Sequence, residues 1–407
     1  MRSFDAFLRT SISLRIRMAE TTTNKGPLRI ALAYQLGAPY PEQITHGILR
    51  YSQEQGPWEI VSSPEGSALP FESLSSWKGD GVIAMLETNH QVAIAHSLKL
   101  PIVNLATSLL TPRISTVSGD QQEIGKLAAE HFLKRNFRRF AYYGLRDVWY
   151  SSERLHGYRE CLRNAGYDCD VYETESSLLA EEPWKLDREG LSNWLSSLSP
   201  PTAVFTAHDY RARILLERCA DLGIEVPSDL AVIGVDDDPI VCQFSEPPLS
   251  SIRQNGAEVG YLAASVLDSL IRGEKPLSKP LLVSPEELIA RDSTRVVAVE
   301  DTTLRKCLDL IDLHHSSPID VAWLVSRLNA SRRHIEKLFQ TELGESPHEY
   351  LSNIRIERAK TLLDKKPPLP LREIAGQCGF SEPRRLNIVF QRIAACSPRE
   401  YRDRQTD

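Results

Sequence analysis

The chain has 407 residues, 42% hydrophobic and 25% charged, ordinary values for a soluble protein of two or three domains. No run of eighteen apolar residues occurs, which argues against a membrane-spanning helix. The net charge of −6 would argue against a nucleic-acid binder if the chain were one unit. It is not: residues 301–407 carry 18 Lys+Arg against 15 Asp+Glu, a balance of +3, and residues 1–300 hold the remaining balance of −9. That asymmetry is what an acidic body joined to a polyanion-binding end shows.

Taken in chain order, residues 1–27 read as a separate extension. Met1–Met18 is rich in Arg and poor in acids, and Thr21–Pro27 is a flexible lead-in. It reads as a targeting peptide or as an extension ahead of a start at Met18. Residues 28–292 alternate short apolar runs with helical stretches. Strands are expected at 28–34, 58–62, 81–85, 101–104, 139–144, 203–206 and 230–234. Helices are expected at 41–55, 91–98, 120–136, 154–165, 187–197, 210–222 and 257–271. Runs of four to seven nearly all-apolar residues are the pattern of parallel strands buried on both faces. Alternating β and α units imply doubly wound α/β sheets, and about 265 residues suggests two stacked lobes. Residues 293–301 form a short connector, after which 302–407 reads as helix after helix.

Seven cysteines (Cys161, Cys169, Cys219, Cys242, Cys307, Cys378, Cys396) are scattered without a CxxC or Cys/His cluster. They read as reduced thiols, most of them in the core of a cytoplasmic protein. His314-His315 lacks further ligands and reads as a solvent-facing helix end. Without a Cys/His cluster no metal is expected; no glycine-rich phosphate loop appears, which disfavours a nucleotide, and no cofactor is expected.

The helical end contains two helix-turn-helix units, at about 320–343 and 371–393. In the first, a scaffold helix at 320–328 is followed by a turn at Asn329-Ala330 and a second helix at 331–343 capped by Ser331. A long helix at 347–363 leads to the second unit, where Gly379 stops the scaffold helix at 371–378 and Ser381 is the expected cap of 382–393. The second helix of such a unit fits the major groove, where Arg grips guanine and Asn or Gln grips adenine. The candidates are Ser331, Arg332, Arg333, His334 and Lys337 in the first unit. In the second they are Arg384, Arg385, Asn387, Gln391 and Arg392. A helical bundle with merely solvated charges is the competing reading for one unit; the paired pattern is more specific. Ala330-Ser331-Arg332-Arg333, Leu343-Gly344, Ser346-Pro347, Arg355-Ile356-Glu357-Arg358-Ala359, Ile374-Ala375, Cys378-Gly379-Phe380-Ser381 and Ser397-Pro398 carry a resemblance to the AraC-type DNA-binding domain. The resemblance implies two units in successive major grooves. Pro383-Arg384-Arg385-Leu386-Asn387 departs from the family's usual small or aromatic residues.

The body resembles the sensor of LacI-type repressors, itself shaped like a periplasmic binding protein. The carrying segments include Gly79-Asp80-Gly81-Val82-Ile83, Val117-Ser118-Gly119-Asp120, Arg154-Leu155-His156-Gly157-Tyr158-Arg159, His208-Asp209, Val226-Pro227-Ser228-Asp229 and Val235-Asp236-Asp237. Ligands of open α/β sheets bind beyond the carboxyl ends of strands, where Tyr34, Gln35, His208, Asp209 and Asp236 stand. The resemblance adds Asp120 and Arg154 to the expected cleft, with His208 replacing the family's usual Asn. A sensor of this kind followed by an AraC-type head is similar to sugar-operon activators, which implies an aldopentose, D-xylose first. The expected protein is thus a cytoplasmic, homodimeric transcription regulator, an activator of a sugar-catabolic operon. Its expected partners are double-stranded operator half-sites, a small sugar and RNA polymerase, with no membrane. The alternatives are a regulator answering a non-sugar metabolite, a sugar-metabolising enzyme using Asp236-Asp237 as its acid and base, or an exported transport subunit. Adjacent residues on a turn point apart, which counts against the enzyme; the missing apolar signal core and the basic head count against the transport subunit.

Overall fold

The computed structural model describes residues 26–62, 71–105, 109, 113–175, 188–299, 301–363 and 369–404. The expected extension at 1–27 lies almost wholly outside them.

Twelve strands form two six-stranded sheets. They are β1 (Leu28–Ala33), β2 (Trp58–Val61), β3 (Gly81–Ala84), β4 (Ile102–Asn104), β5 (Ser115–Gly119), β6 (Phe140–Leu145), β7 (Asp170–Thr174), β8 (Thr202–Thr206), β9 (Leu230–Val235), β10 (Ser250–Arg253), β11 (Leu281–Val283) and β12 (Glu287–Ile289). The first sheet runs β11-β5-β4-β3-β1-β2 and the second β12-β10-β9-β8-β6-β7. Every pairing is parallel except β10 with β12. The chain therefore crosses between lobes three times: after β5, after β10 and between β11 and β12.

The central strands β1, β3, β6, β8 and β9 are mostly apolar because both faces are covered. In β1, Ile30 and Leu32 pack towards helices Pro39–Gln55 and Gly256–Ile271, while Ala31 and Ala33 face the opposite layer around Phe71 and Leu74. In the second lobe, Tyr142, Phe205 and Ile233 meet helices Gln121–Lys134 and Trp149–Asn164. The alternate residues Tyr143, Val204 and Val232 meet helices Arg188–Ser197 and Asp209–Leu222. Period-two alternation thus divides each strand between two cores.

The helices expected in the body are present, with ends moved by a few residues. One shift matters: the helix read from Arg154 begins at Trp149. β5, β7, β10, β11 and β12 lie outside the seven expected runs. β5 is fully buried yet reads Ser-Thr-Val-Ser-Gly, so it lacks the apolar run that marks a central strand. Helices Gln121–Lys134 and Trp149–Asn164 touch backbone to backbone: a Cβ on Gly125 would stand 2.0 Å from the Arg154 carbonyl oxygen. Propensity alone favours Ala over Gly in a helix by about 1 kcal/mol. The Gly125→Ala variant is expected instead to lose about 1–3 kcal/mol through overpacking. Urea unfolding checks this; a gain in stability would mean the two helices part freely.

From Thr302 onward the described residues hold helices and no strand: Thr302–His314, Val321–Arg327, Arg332–Leu343, Pro347–Leu363, Leu371–Gln377, Pro383–Ala394 and Pro398–Arg404. Leu351 joins a first small core with Leu324, Ile335 and Phe339. Ile356, Ala359 and Leu362 of the same long helix join a second core with Ile374, Leu386 and Phe390. Arg355 ties the halves together by donating to the carbonyls of His315, Ser317 and Ile319. Gly379 has a φ of +71°, and a Cβ there would lie 2.4 Å from the His315 oxygen, so conformation and space both demand glycine. His314 is half-buried and packs edge-on against Trp323 at 5.0 Å, so this histidine pair is less solvent-facing than expected.

The connector is pinned to the sensor. Ser293 and Thr294 are buried, as are Ala298 and Val299. Arg135 donates to the Thr294 carbonyl at 2.9 Å and its own carbonyl accepts from Ala298 at 2.8 Å. Cys161 is half-buried and the other six cysteines are buried, none of them in a disulfide.

Candidate functional site

A cavity of about 180 Å3 lies between the lobes. It suits one small molecule and falls below the roughly 300–1,000 Å3 of drug-sized pockets. Ala38, Pro39, Tyr40, Pro41 and Met85 come from the first lobe. Tyr150, Arg154, His208, Asp209, Tyr210, Asp236 and Asp238 come from the second, and Gln254 from the crossing after β10.

Arg154 is 3% exposed and is fixed from behind. Its Nε donates to Gln121 Oε1 at 2.8 Å, its Nη1 donates to the Ala207 carbonyl, and its guanidinium lies 4.9 Å over the Tyr150 ring. Tyr150 precedes it by one helical turn, the spacing that places both on one face. Asp236 follows β9 with a φ of +107° and Asp237 follows at +51°. Such conformations cost about 1–3 kcal/mol each and persist where surrounding structure enforces them. The two carboxylates diverge. Asp236 Oδ1 accepts from Gln254 Nε2 at 2.7 Å, whereas Asp237 is held by Arg253 at 2.6 Å and Arg291 at 2.7 Å. Burial raises the Asp236 pKa, and the Arg154 charge and the Gln254 hydrogen bond oppose the rise.

His208 caps helix Asp209–Leu222, its Nδ1 accepting from the Arg211 backbone at 3.4 Å. That bond leaves the proton on Nε2, so the ring is a neutral donor. Burial, with Arg211 and Arg154 nearby, pushes its pKa down to about 3. His131 is pushed down to about 3 as well, first by burial. Both folded values lie below the unfolded value of about 6.5, so the unfolded chain binds more protons between about pH 6.5 and 3. The contribution of these two histidines is therefore complete above about pH 6.5 and falls on acidification, approaching about 1.4 kcal/mol per pH unit for each. Denaturation midpoints of His208→Asn across this range are expected to show a shallower slope than wild type; an identical slope would contradict the buried neutral ring.

Three of the seven residues expected in the cleft sit elsewhere, and a fourth, Asp209, lines it with its oxygens already engaged. Tyr34 is turned into the first-lobe core, where its hydroxyl meets Thr45 Oγ1 at 2.9 Å. Gln35 is exposed and does not line the cavity. Asp120 caps helix Gln121–Lys134 by accepting from the Glu123 backbone at 3.0 Å, and it lines a separate groove with Glu153 and Glu160. Asp209 lines the cavity, but its oxygens accept from Ser251 at 2.6 Å, the Asp238 backbone at 2.8 Å and Cys242 at 3.3 Å. It is a brace between β8, β10 and helix Pro239–Phe244. The strand-end rule located the region, but the first residues beyond β1 turn inwards and outwards, and the chain reaches the cavity only at Ala38–Pro41.

The sequence reading passed over Tyr40, Met85, Tyr150, Tyr210, Asp238 and Gln254. The Tyr40 hydroxyl and Gln254 Oε1 are buried without a hydrogen-bond partner. Unpaired buried polar groups are costly, about 1–3 kcal/mol each, and here they leave bonds open beside a cavity that a small molecule fits.

At the other end of the chain, all ten nominated residues are exposed. Ser331 caps the first recognition helix by accepting from the His334 backbone at 3.3 Å. Arg332 pairs with Glu336 of the same helix at 2.8 Å, while Ile335 and Phe339 face inwards. In the second helix Leu386 and Phe390 are buried. The cap there is Glu382 without a side-chain bond, not Ser381: the residue before Pro383 is held in an extended conformation, so the helix begins at the proline.

Comparison with known proteins bears on both ends. A periplasmic binding protein-like domain matches residues 129–294, and a helix-turn-helix domain matches residues 324–404. The xylose operon regulatory protein of Escherichia coli (strain K12) is 29% identical over 384 residues, 92% of this chain and 97% of that one. The protein of the same name from Haemophilus influenzae is 27% identical over 382 residues. A solved structure described as a xylose-binding transcription activator covers 95% of this chain and 100% of its own, at 28% identity and a TM-score of 0.67. The chain is an AraC-type transcription regulator with a periplasmic-binding-protein-like sensor. The order of parts is shared along nearly the whole length, which separates this regulator from LacI-type relatives. The ribose operon repressor of Escherichia coli (strain K12), for example, matches over only 65% of this chain at 26% identity. The enzyme reading falls with that match. Among the described residues no helix is long and apolar enough to cross a membrane, and no cluster of His, Cys, Asp and Glu could hold a metal ion.

Proposed function

We propose that this regulator is controlled by a small sugar, D-xylose or a related pentose, bound between the sensor lobes. The observation that carries the reading is the unfilled polar set of the cavity: the Tyr40 hydroxyl and Gln254 Oε1 without partners, beside Arg154, Asp236 and a donating His208. A polyol offers paired donors and acceptors that satisfy such a set, and the Tyr150 and Tyr40 rings give apolar walls. The names of the relatives that share the full chain favour xylose. A thermal-shift screen of pentoses and hexoses tests this. Stabilisation is expected from a pentose at 100 times its Kd by about 2.7 kcal/mol; no shift with any sugar would sink the reading.

The sensor is taken as residues 28–292 and the head as 302–407, with 293–301 between them. The protein acts in the cytoplasm as a homodimeric activator that recruits RNA polymerase, presenting four recognition helices to operator half-sites. Ser331, Arg332, Arg333, His334 and Lys337 in the first unit, and Arg384, Arg385, Asn387, Gln391 and Arg392 in the second, contact bases and phosphates. Replacing Arg333 or Arg385 by Ala is expected to cost about 1–3 kcal/mol of operator affinity and relax specificity at one position. Band shifts on an operator series check this; equal loss on every sequence would mark a phosphate contact instead.

A further inference from the structure

The two recognition helices share one spacing of buried residues. The buried pair Ile335 and Phe339 of the first corresponds to Leu386 and Phe390 of the second. Each pair brackets one residue, two positions from both members. At about 100° per residue, that bracketed residue points directly away from the core. In the first helix it is Lys337. In the second it is Ile388, which is 62% exposed.

An exposed isoleucine at the centre of a recognition face is out of character with its neighbours. Arg384 and Arg385 precede it by one turn, and Gln391 and Arg392 follow by one turn; all four are exposed and polar. The side chain opposite the core is the one that a helix in the major groove carries deepest towards the base edges. The apolar group displayed there is the 5-methyl of thymine. We infer that Ile388 reads a thymine methyl in the half-site taken by the second unit, at the position where the first unit presents the Lys337 cation. The inference rests on the second helix entering the major groove, and it gives the two units different base preferences.

The test uses the full-length protein. Selection from random duplex DNA supplies the preferred sites of the wild type, and synthetic duplexes then carry deoxyuridine in place of one thymine at a time. Deoxyuridine pairs identically and lacks only the methyl group. A buried CH2-sized group is worth about 0.8 kcal/mol, roughly a four-fold change in affinity. One thymine of the second half-site is expected to show that loss for the wild type. The Ile388→Ala variant is expected to bind the thymine and deoxyuridine duplexes equally, and Ile388→Val to keep most of the preference. Because the side chain is outside the core, both variants fold, which circular dichroism verifies. The inference is overturned if Ile388→Ala retains wild-type site preference. It is overturned equally if every deoxyuridine costs the variant what it costs the wild type. Wild-type DNA affinity with lost transcriptional activation would assign Ile388 to a protein contact instead.

Discussion

Replacing Arg154 with Ala is expected to weaken effector affinity at least about 30-fold while operator binding without effector survives. The guanidinium is buried, stacked on Tyr150 and braced by Gln121 Oε1 and the Ala207 carbonyl. A hydrogen bond to a charged group is worth about 1.5–3 kcal/mol, a guanidinium facing the cavity can donate more than one, and each 1.4 kcal/mol is a factor of about ten. The Arg154 charge also opposes the burial-driven rise of the Asp236 pKa, so its loss leaves that buried carboxyl less favourably placed. Arg154→Lys keeps the charge but lacks the planar fork, so it is expected to recover only part of the affinity. Isothermal titration of each variant, beside a melting curve that reports folding, checks this. Wild-type sugar affinity in a folded Arg154→Ala protein would remove Arg154 from the cleft.

The second large effect is expected at Asn136, a residue in neither site. Helix Gln121–Lys134 starts at the cleft, where Gln121 holds Arg154, and runs for about 21 Å at 1.5 Å per residue. Just past its end, Asn136 takes a φ of +62°, a conformation asparagine tolerates better than most residues. Its Nδ2 donates to the Ala298 carbonyl of the connector at 3.1 Å and to the Glu342 carbonyl at 3.2 Å. Glu342 lies in the last turn of the first recognition helix, where carbonyls lack helical partners. One amide thus ties a rod that begins at the cleft to the helix expected in the groove. Ion pairs of Arg295 with Asp312 at 2.7 Å and of Arg305 with Asp229 at 3.9 Å flank this contact.

Two such bonds are worth about 0.5–1.5 kcal/mol each, comparable with a typical coupling energy of about 1–3 kcal/mol. Asn136→Gly keeps the backbone conformation and deletes the amide. It is expected to bind sugar as the wild type does, while the sugar-induced change in operator affinity shrinks about five-fold or more. An unchanged sugar response would show that the signal travels by another route.

The fold was largely legible because its central strands are buried on both faces. Leu230–Val235 is apolar at all six positions and could be read without context. β5 could not, since its hydroxyl side chains are hidden by tertiary packing rather than by their own chemistry. The head was legible in detail: the long helix lies at Pro347–Leu363 as expected, and Ser331 is a cap. The cleft was legible in part. Arg154, His208 and Asp236 come together, but Tyr34, Gln35 and Asp120 do not, because a strand end predicts a region and not the direction of the following turn. A signal for Tyr150 was present in its four-residue spacing from Arg154. None existed for Gln254, which follows a strand that was itself not read. Ile388 was missed because polarity, rather than angle from the core, was used to choose groove-facing residues.

The central claim is that a sugar in the cleft alters how the head holds DNA. Fluorescence anisotropy of a labelled operator, titrated with the full-length protein with and without saturating D-xylose, measures this directly. The account predicts a change in apparent Kd of about 5–150-fold with the pentose, lost in Arg154→Ala. An operator affinity identical with and without every pentose, in protein shown by thermal shift to bind the sugar, would contradict it.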